Sequence, residues 1–208
     1  MIKAFLFDYD GVITKGAENE RIFGTLADNL GVTVEQTTEW LMEIWRSFLK
    51  GQLSEDQVWQ HVESKYGQPV PQDKRDIWFT WEELVPLDEM LNLVKELRKE
   101  GYITAVVSNI FASNRALIQE MGGYNEFDFV VLSSDIGFAK PEPEVFQAAV
   151  AKLPEGTQLH EVVFLDDREK NAEAANEMGM LGIYVANHVD AINKVRELAG
   201  LNEPTSKG

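Results

Sequence analysis

Ile2-Lys3-Ala4-Phe5-Leu6-Phe7-Asp8-Tyr9-Asp10-Gly11-Val12 is a short apolar run that stops abruptly at two acids and a glycine. Residues 2–7 have the length and the aromatic and branched content of a buried parallel strand. Four more such runs lie at 102–107, 127–132, 161–165 and 181–185. Helical patterns separate them, over 87–100, 114–121, 142–153 and 170–178, with a last one over 191–198. Gly101, Gly122 and Gly179 stand where helix C-caps belong. Strands alternating with helices imply an α/β fold, a parallel sheet covered on both faces.

The segment from about 14 to 86 breaks the alternation. It has no strand-like run and reads as helices over 19–30, 34–50, 55–66 and 72–84, punctuated by Gly31, Gly51 and Gly67. Ser54, with Glu55 and Asp56 behind it, starts one of them well. The expected organisation is a core of residues 1–14 and 86–208, with a helical insert, 15–85, after the first strand. Trp40, Trp45, Trp59, Trp78 and Trp81 all fall in the insert. Aromatic stripes on helices are mostly core, and that reading is preferred here over ligand binding. There is no internal repeat, and the polar tail 202–208 is expected to fray.

Composition narrows the classes of function. The 208 residues carry a formal net charge of −16, with 44% hydrophobic residues and no cysteine. Disulfides, thiolate metal sites and a cysteine nucleophile are excluded. An acidic chain lacks the basic footprint of a nucleic-acid binder and is repelled by anionic membranes. No apolar run could span a bilayer and no signal-type segment opens the chain, so a cytoplasmic location is expected. An anionic substrate would have to be met by a local cluster of cations.

Polar groups stand at four strand ends. Asp8 and Asp10 follow the first strand, Ser108 and Asn109 the second, Lys140 the third, and Asp166 and Asp167 close the fourth. Parallel strands share one C-terminal edge, and ligands bind there, so residues more than 150 positions apart converge. Several carboxylates in one crevice need a cation, and oxygen donors with open water positions suit Mg²⁺. A metal-bound Asp8 would be ionised and nucleophilic. Gly11 lets the chain turn so that Asp10 can exchange protons with a leaving oxygen or water. Ser108 and Asn109 can donate to phosphoryl oxygens, and Lys140 supplies a fixed positive charge. Each has a plainer reading alone: a turn, an N-cap pair, an exposed lysine, a capping acid. Their order at successive strand ends favours chemistry.

Phe7-Asp8-Tyr9-Asp10-Gly11-Val12, Val107-Ser108-Asn109, Lys140-Pro141-Glu142-Pro143 and Phe164-Leu165-Asp166-Asp167 resemble the four motifs of the haloacid dehalogenase (HAD) superfamily. The insert resembles the α-helical cap of one large branch. The fourth motif with its helix is similar to those of glucose-1-phosphate-type phosphatases and of the phosphatase domain of soluble epoxide hydrolases. The resemblance implies a Rossmann-like core with the first strand central. It implies that Asp8 becomes an aspartyl phosphate and that Asp10 is the acid/base and lends its backbone carbonyl to Mg²⁺. By the same likeness Asp167 is the main fourth-motif ligand, and Asp166 acts on the metal directly or through water.

The expected activity is Mg²⁺-dependent hydrolysis of a small phosphate ester, a sugar phosphate or similar metabolite. A phosphomutase of the β-phosphoglucomutase kind shares the first motif, Asp8-Tyr9-Asp10-Gly11-Val12-Ile13-Thr14, and stays as the alternative. The superfamily's dehalogenases lack an acid at the position of Asp10, which argues against that chemistry. A non-catalytic relative could have shed one of these positions, and none is missing. Lys15, Arg46 and Lys50 are candidate contacts for an anionic substrate, against the plainer reading of solvated surface charges. Residues 48–54 resemble a turn of related caps. His61, His160 and His188 read as structural or exposed. A monomer or homodimer is expected.

Overall fold

The computed structural model describes residues 1–16, 19–80 and 82–201. Trp81 and the tail 202–208 lie outside them. The chain runs through β1 (Ala4–Phe7), then four helices, α1 (Asn19–Leu30), α2 (Val34–Met42), α3 (Trp45–Leu49) and α4 (Glu55–Tyr66). It continues as α5 (Asp88–Lys99), β2 (Ile103–Ser108), α6 (Ala112–Glu120), β3 (Phe129–Leu132), α7 (Ser133–Ile136) and α8 (Pro143–Val150). It closes with β4 (Val162–Asp166), α9 (Glu169–Glu177), β5 (Leu181–Tyr184) and α10 (His188–Ala199).

The strands form one parallel sheet in the order β3-β2-β1-β4-β5, with β1 in the middle. Every residue of β1 is fully buried, and alternation sends its side chains to opposite layers. Phe5 and Phe7 pack with Met90, Leu93 and Leu97 of α5 and Val195 of α10. Ala4 and Leu6 pack with Val145, Phe146 and Ala149 of α8 and Ala175 of α9. This two-sided burial explains why the strands read as continuous apolar runs. Burying a phenylalanine such as Phe7 contributes about 1.5–3 kcal/mol. Phe7 is in register with Val106 and with Leu165. Asp8 therefore leaves the sheet at the same edge as Ser108 and Asp166.

A third cluster belongs to the helices between β1 and α5. Ile22, Phe23 and Leu26 of α1 meet Trp40 and Leu41 of α2, Trp45 and Phe48 of α3, and Val58, Trp59 and Val62 of α4. Trp78 packs on the same cluster, half-buried. These four tryptophans are packing residues, as read. Two capping boxes, Thr33 with Gln36 and Ser54 with Gln57, start α2 and α4.

Two helix expectations fail. The pattern over 34–50 is interrupted at Glu43 and Ile44, which re-aims its second half. Trp45 then packs edge-on to both Phe23 and Phe111, at 5.3 and 5.2 Å. Among its described residues, the segment 72–84 contains only a single 3₁₀ turn, Gln72–Lys74. Its apolar residues Ile77, Trp78 and Phe79 are contiguous and so cannot line one helix face. Ile77 joins the helical cluster, Phe79 touches both that cluster and the sheet's, and Leu84 joins the sheet's.

Candidate active site

Asp8 still has strand dihedrals, φ −63° and ψ 155°, and its N–H donates to Leu165 O at 2.8 Å. Its carboxylate accepts from the Tyr9 N–H at 2.7 Å. The chain then bends away through Gly11, whose φ is +80°. A side chain there would be strained, and its Cβ would stand 2.5 Å from Asp167 Cγ. Buried Thr14 ties the bend: its hydroxyl donates to Asp10 Oδ1 at 3.0 Å and accepts from the N–H groups of Gly11 and Gly16.

Lys140 is the buried cation of the site. Its ammonium is fully buried, 2.8 Å from Asp8 Oδ2 and 2.6 Å from Asp166 Oδ2. The backbone of Lys140 is clamped by Asn109, whose Oδ1 accepts the Lys140 N–H at 2.8 Å and whose Nδ2 donates to the Lys140 carbonyl at 3.0 Å. The Asn109 amide thus positions the lysine loop. Asp166 is also committed. Its Oδ1 accepts from the Arg168 N–H and from Asn171 Nδ2, both at 2.9 Å, while its Oδ2 takes the lysine. It holds Lys140 in place.

One carboxylate oxygen from each of Asp8, Asp166 and Asp167 falls within a 4.8 Å cluster. Three acids face one ammonium there, with Asp8 and Asp166 buried and Asp167 partly exposed. Burial pushes the Asp8 carboxyl up to about 8; Lys140 pulls against this, and Asp166 and Asp167 add to it. Asp167 is raised too, first by burial and then by Asp166. Burial works against the Lys140 ammonium, but Asp166 and Asp8 outweigh it and hold the lysine above its ordinary value. This excess of oxygen charge fits a hard divalent cation such as Mg²⁺. Asn171 agrees with that fit: it lines the same cavity, is 2% exposed, and its Oδ1 has no protein partner.

The cavity has a polar floor of Asp8, Asp10, Ser108, Asn109, Lys140 and Asp167, with Arg168 and Asn171 beside it. Tyr9 and the apolar side chains of Trp45, Leu49, Phe79, Leu84, Ile110 and Phe111 complete its lining. The two remaining candidates are elsewhere. Arg46, with Lys50, is paired to Glu142 Oε1, at 3.0 and 2.6 Å. On an acidic chain a cation readily finds a carboxylate, and this one lies just past Lys140. Lys15 is exposed and lines an adjoining recess with Gly16, Glu20 and Asp167. His61 contacts the Trp40 carbonyl at 2.9 Å, as a structural residue would.

Sequence reasoning missed Thr14, Asn171 and Phe111. Phe111 precedes α6 yet packs among the inserted helices, stacked on Phe48 at 4.8 Å and 11°. The available signal was Ile110-Phe111 itself, two large apolar residues in a loop position after a strand.

The haloacid dehalogenase-like hydrolase family matches residues 2–179. The sesquiterpene phosphatase astK of Aspergillus oryzae is 26% identical over 199 residues, covering 95% of this chain and 97% of its own length. Bifunctional epoxide hydrolase 2 of Mus musculus is 32% identical over 120 residues, 55% of this chain but 21% of that protein. Among solved structures, the HAD family enzyme bt-2542 of Bacteroides thetaiotaomicron superposes with a TM-score of 0.73 at 25% identity, over 88% of this chain and 93% of that one. That enzyme has also been crystallised with magnesium and inorganic phosphate; in that form it is 24% identical, with a TM-score of 0.71 over 88% and 94% of the two chains. Since the family match runs from before β1 through α9, the chain belongs to the haloacid dehalogenase-like hydrolases.

Proposed function

We propose that this hydrolase is a Mg²⁺-dependent phosphatase that cleaves a small phosphate monoester through an aspartyl phosphate on Asp8. One observation carries the reading: the Asp8 carboxylate lies on the cavity floor, 2.8 Å from a buried ammonium and clustered with Asp166 and Asp167. Phosphatases among the chain's relatives support it.

In the first step a carboxylate oxygen of Asp8 bonds to phosphorus and the ester P–O bond breaks. Asp10 gives its proton to the departing alkoxide, so a neutral alcohol leaves. In the second step Asp10 takes a proton from water, whose oxygen bonds to phosphorus. The acyl phosphate bond then breaks, releasing inorganic phosphate and the Asp8 carboxylate. Lys140 and the Ser108 hydroxyl hold phosphoryl oxygens in both steps. Asp8 and Asp167 would hold Mg²⁺, with Asp10 lending its backbone carbonyl and Asp166 as a second acidic position. The ion, when bound, keeps Asp8 ionised at neutral pH and offsets charge on the phosphoryl group.

In this reading residues 1–14 and 86–208 form the catalytic core, and 15–85 form a cap that keeps bulk water from the acyl phosphate. The test is phosphate release from an aryl phosphate in Mg²⁺, with Asp8→Asn beside the parent. Loss of turnover in the variant is expected, and retained turnover rejects Asp8 as nucleophile. Conversion of a sugar phosphate to its isomer, without free phosphate, would instead identify a mutase.

A further inference from the structure

We propose that the alcohol released is apolar: the substrate is the phosphate monoester of an alkyl, prenyl or aryl alcohol. The inference rests on the phosphatase reading and adds the leaving group to it.

The cavity lining joins polar residues from the strand ends to apolar ones from α3, the strap and the loop after β2, with Tyr9 between them donating its hydroxyl to the Leu84 carbonyl. Asp8, Asp10, Ser108, Lys140 and Asp167 have work at the phosphoryl group, and Arg168 and Asn171 stand with Asp166 and Asp167 at the end of β4. The leaving oxygen points away from Asp8, which must attack opposite to it. That oxygen must reach Asp10, and the group it carries is left to Trp45 and Leu49 of α3, Phe79 and Leu84 of the strap before α5, and Ile110 and Phe111 after β2.

Several described polar groups near this wall are occupied. Arg46 and Lys50 are bound to Glu142, the Asn109 amide to the Lys140 backbone, and the Ser133 hydroxyl to the Leu49 carbonyl. A hydroxyl pressed against this wall would lose water and gain no partner.

Packing alone accounts for part of the wall. Trp45 and Phe111 are buried against each other and against Phe48 and Phe23, and they join the inserted helices to the sheet. Leu49 and Phe79 pack on the same clusters yet stay partly exposed while lining the cavity. An apolar leaving group would cover them. They are the specificity-determining residues of this proposal.

The test is a series of n-alkyl phosphates from ethyl to octyl, with glycerol phosphate and hexose phosphates, assayed for released phosphate with the full chain in Mg²⁺. Burial of a methylene predicts that kcat/KM rises about fourfold per carbon over the first members. An apolar pocket discriminates against added hydroxyls by roughly 100-fold, so hexyl phosphate should exceed a hexose phosphate by at least that. Phe79→Ser and Leu49→Asn should each flatten the chain-length slope, and thermal melts of both report whether they fold.

A flat series, or preference for the hexose phosphate, overturns the apolar leaving group while the phosphatase reading stands. If no ester is hydrolysed, the phosphatase reading falls, and binding of non-hydrolysable phosphonates then decides this one. Octylphosphonate binding more tightly than a sugar phosphonate, followed by tryptophan fluorescence, supports an apolar site; equal or reversed affinity overturns it.

Discussion

Lys140 and Asp166 form a fully buried ion pair, Nζ to Oδ2 at 2.6 Å, and Asp8 shares the same ammonium at 2.8 Å. A buried carboxylate left without its partner is costly, about 3–5 kcal/mol. Lys140→Met would leave Asp8, Asp166 and Asp167 facing one another. The variant should lose turnover by roughly 100-fold or more. In thermal melts without divalent ions it should also melt well below the parent, and Mg²⁺ should recover part of the difference. Melting that is unchanged in both conditions would show that the three acids do not depend on this lysine.

Glu142 makes a prediction about pH. Burial pushes its carboxyl up, but hydrogen bonds from Lys50, from the Ala139 N–H and from Arg46 outweigh that and hold it at about 2. Its folded value lies below its ordinary one, so the unfolded chain takes up the proton first as pH falls. The stabilisation is complete above about 4.5 and is lost progressively toward about 2. Glu142→Gln removes the charge at every pH. The parent should therefore melt higher than the variant at neutral pH, and the gap should close as pH falls through that window. A gap that does not change with pH would mean that the ionised carboxylate adds nothing at this contact.

The same ion pairs show where sequence reading stops. The five strands were legible because each reads as a short apolar run; β1, β2 and β4 are buried almost throughout, while the edge strands β3 and β5 are only partly covered. The convergence of Asp8, Ser108, Lys140 and Asp167 on one cavity followed from parallel strands sharing an edge. Partner choice was not legible. Arg46 and Glu142 lie 96 positions apart in a chain with 35 acids, and nothing local marks which acid the arginine meets. The direction of the Asn109 amide was equally hidden, because its partner is the backbone of a loop 31 residues on. The strap over 72–84 misled because its apolar content suggested a helix, while its residues divide between two clusters.

Gly11 separates backbone strain from lost space. At φ +80°, Gly11→Ala incurs about 1–2 kcal/mol from conformation alone. Its methyl would also displace the Asp167 carboxylate, 2.5 Å away. The variant should need at least about tenfold more Mg²⁺ for half-maximal phosphate release, the equivalent of 1.4 kcal/mol in binding. Gly24→Ala is the control. Gly24 lies in α1 at negative φ, with nothing within 4 Å of an added Cβ. That change should stabilise the chain by about 0.5–1 kcal/mol and leave the Mg²⁺ requirement alone. An unaltered requirement in Gly11→Ala would remove Asp167 from the metal site.

Ser133 joins three segments at one hydroxyl. It donates to the Leu49 carbonyl at the end of α3, at 2.6 Å, and accepts from the Ile110 N–H after β2, at 2.9 Å. Both bonds lie where the inserted helices meet the sheet, and next to them a Cβ on Gly51 would stand 2.5 Å from the Ser134 carbonyl. Ser133→Ala strands one acceptor and one buried donor, at about 1–3 kcal/mol for an unsatisfied group. Gly51→Ala attacks the same contact by clash and by its φ of +66°. Both variants should loosen α3 from the sheet without touching the floor residues, so Mg²⁺ should still raise their melting temperatures. Leu49 and Trp45 ride on that helix, so KM for a long alkyl phosphate should rise more than KM for ethyl phosphate. Equal changes for the two esters would mean that α3 takes no part in holding the leaving group.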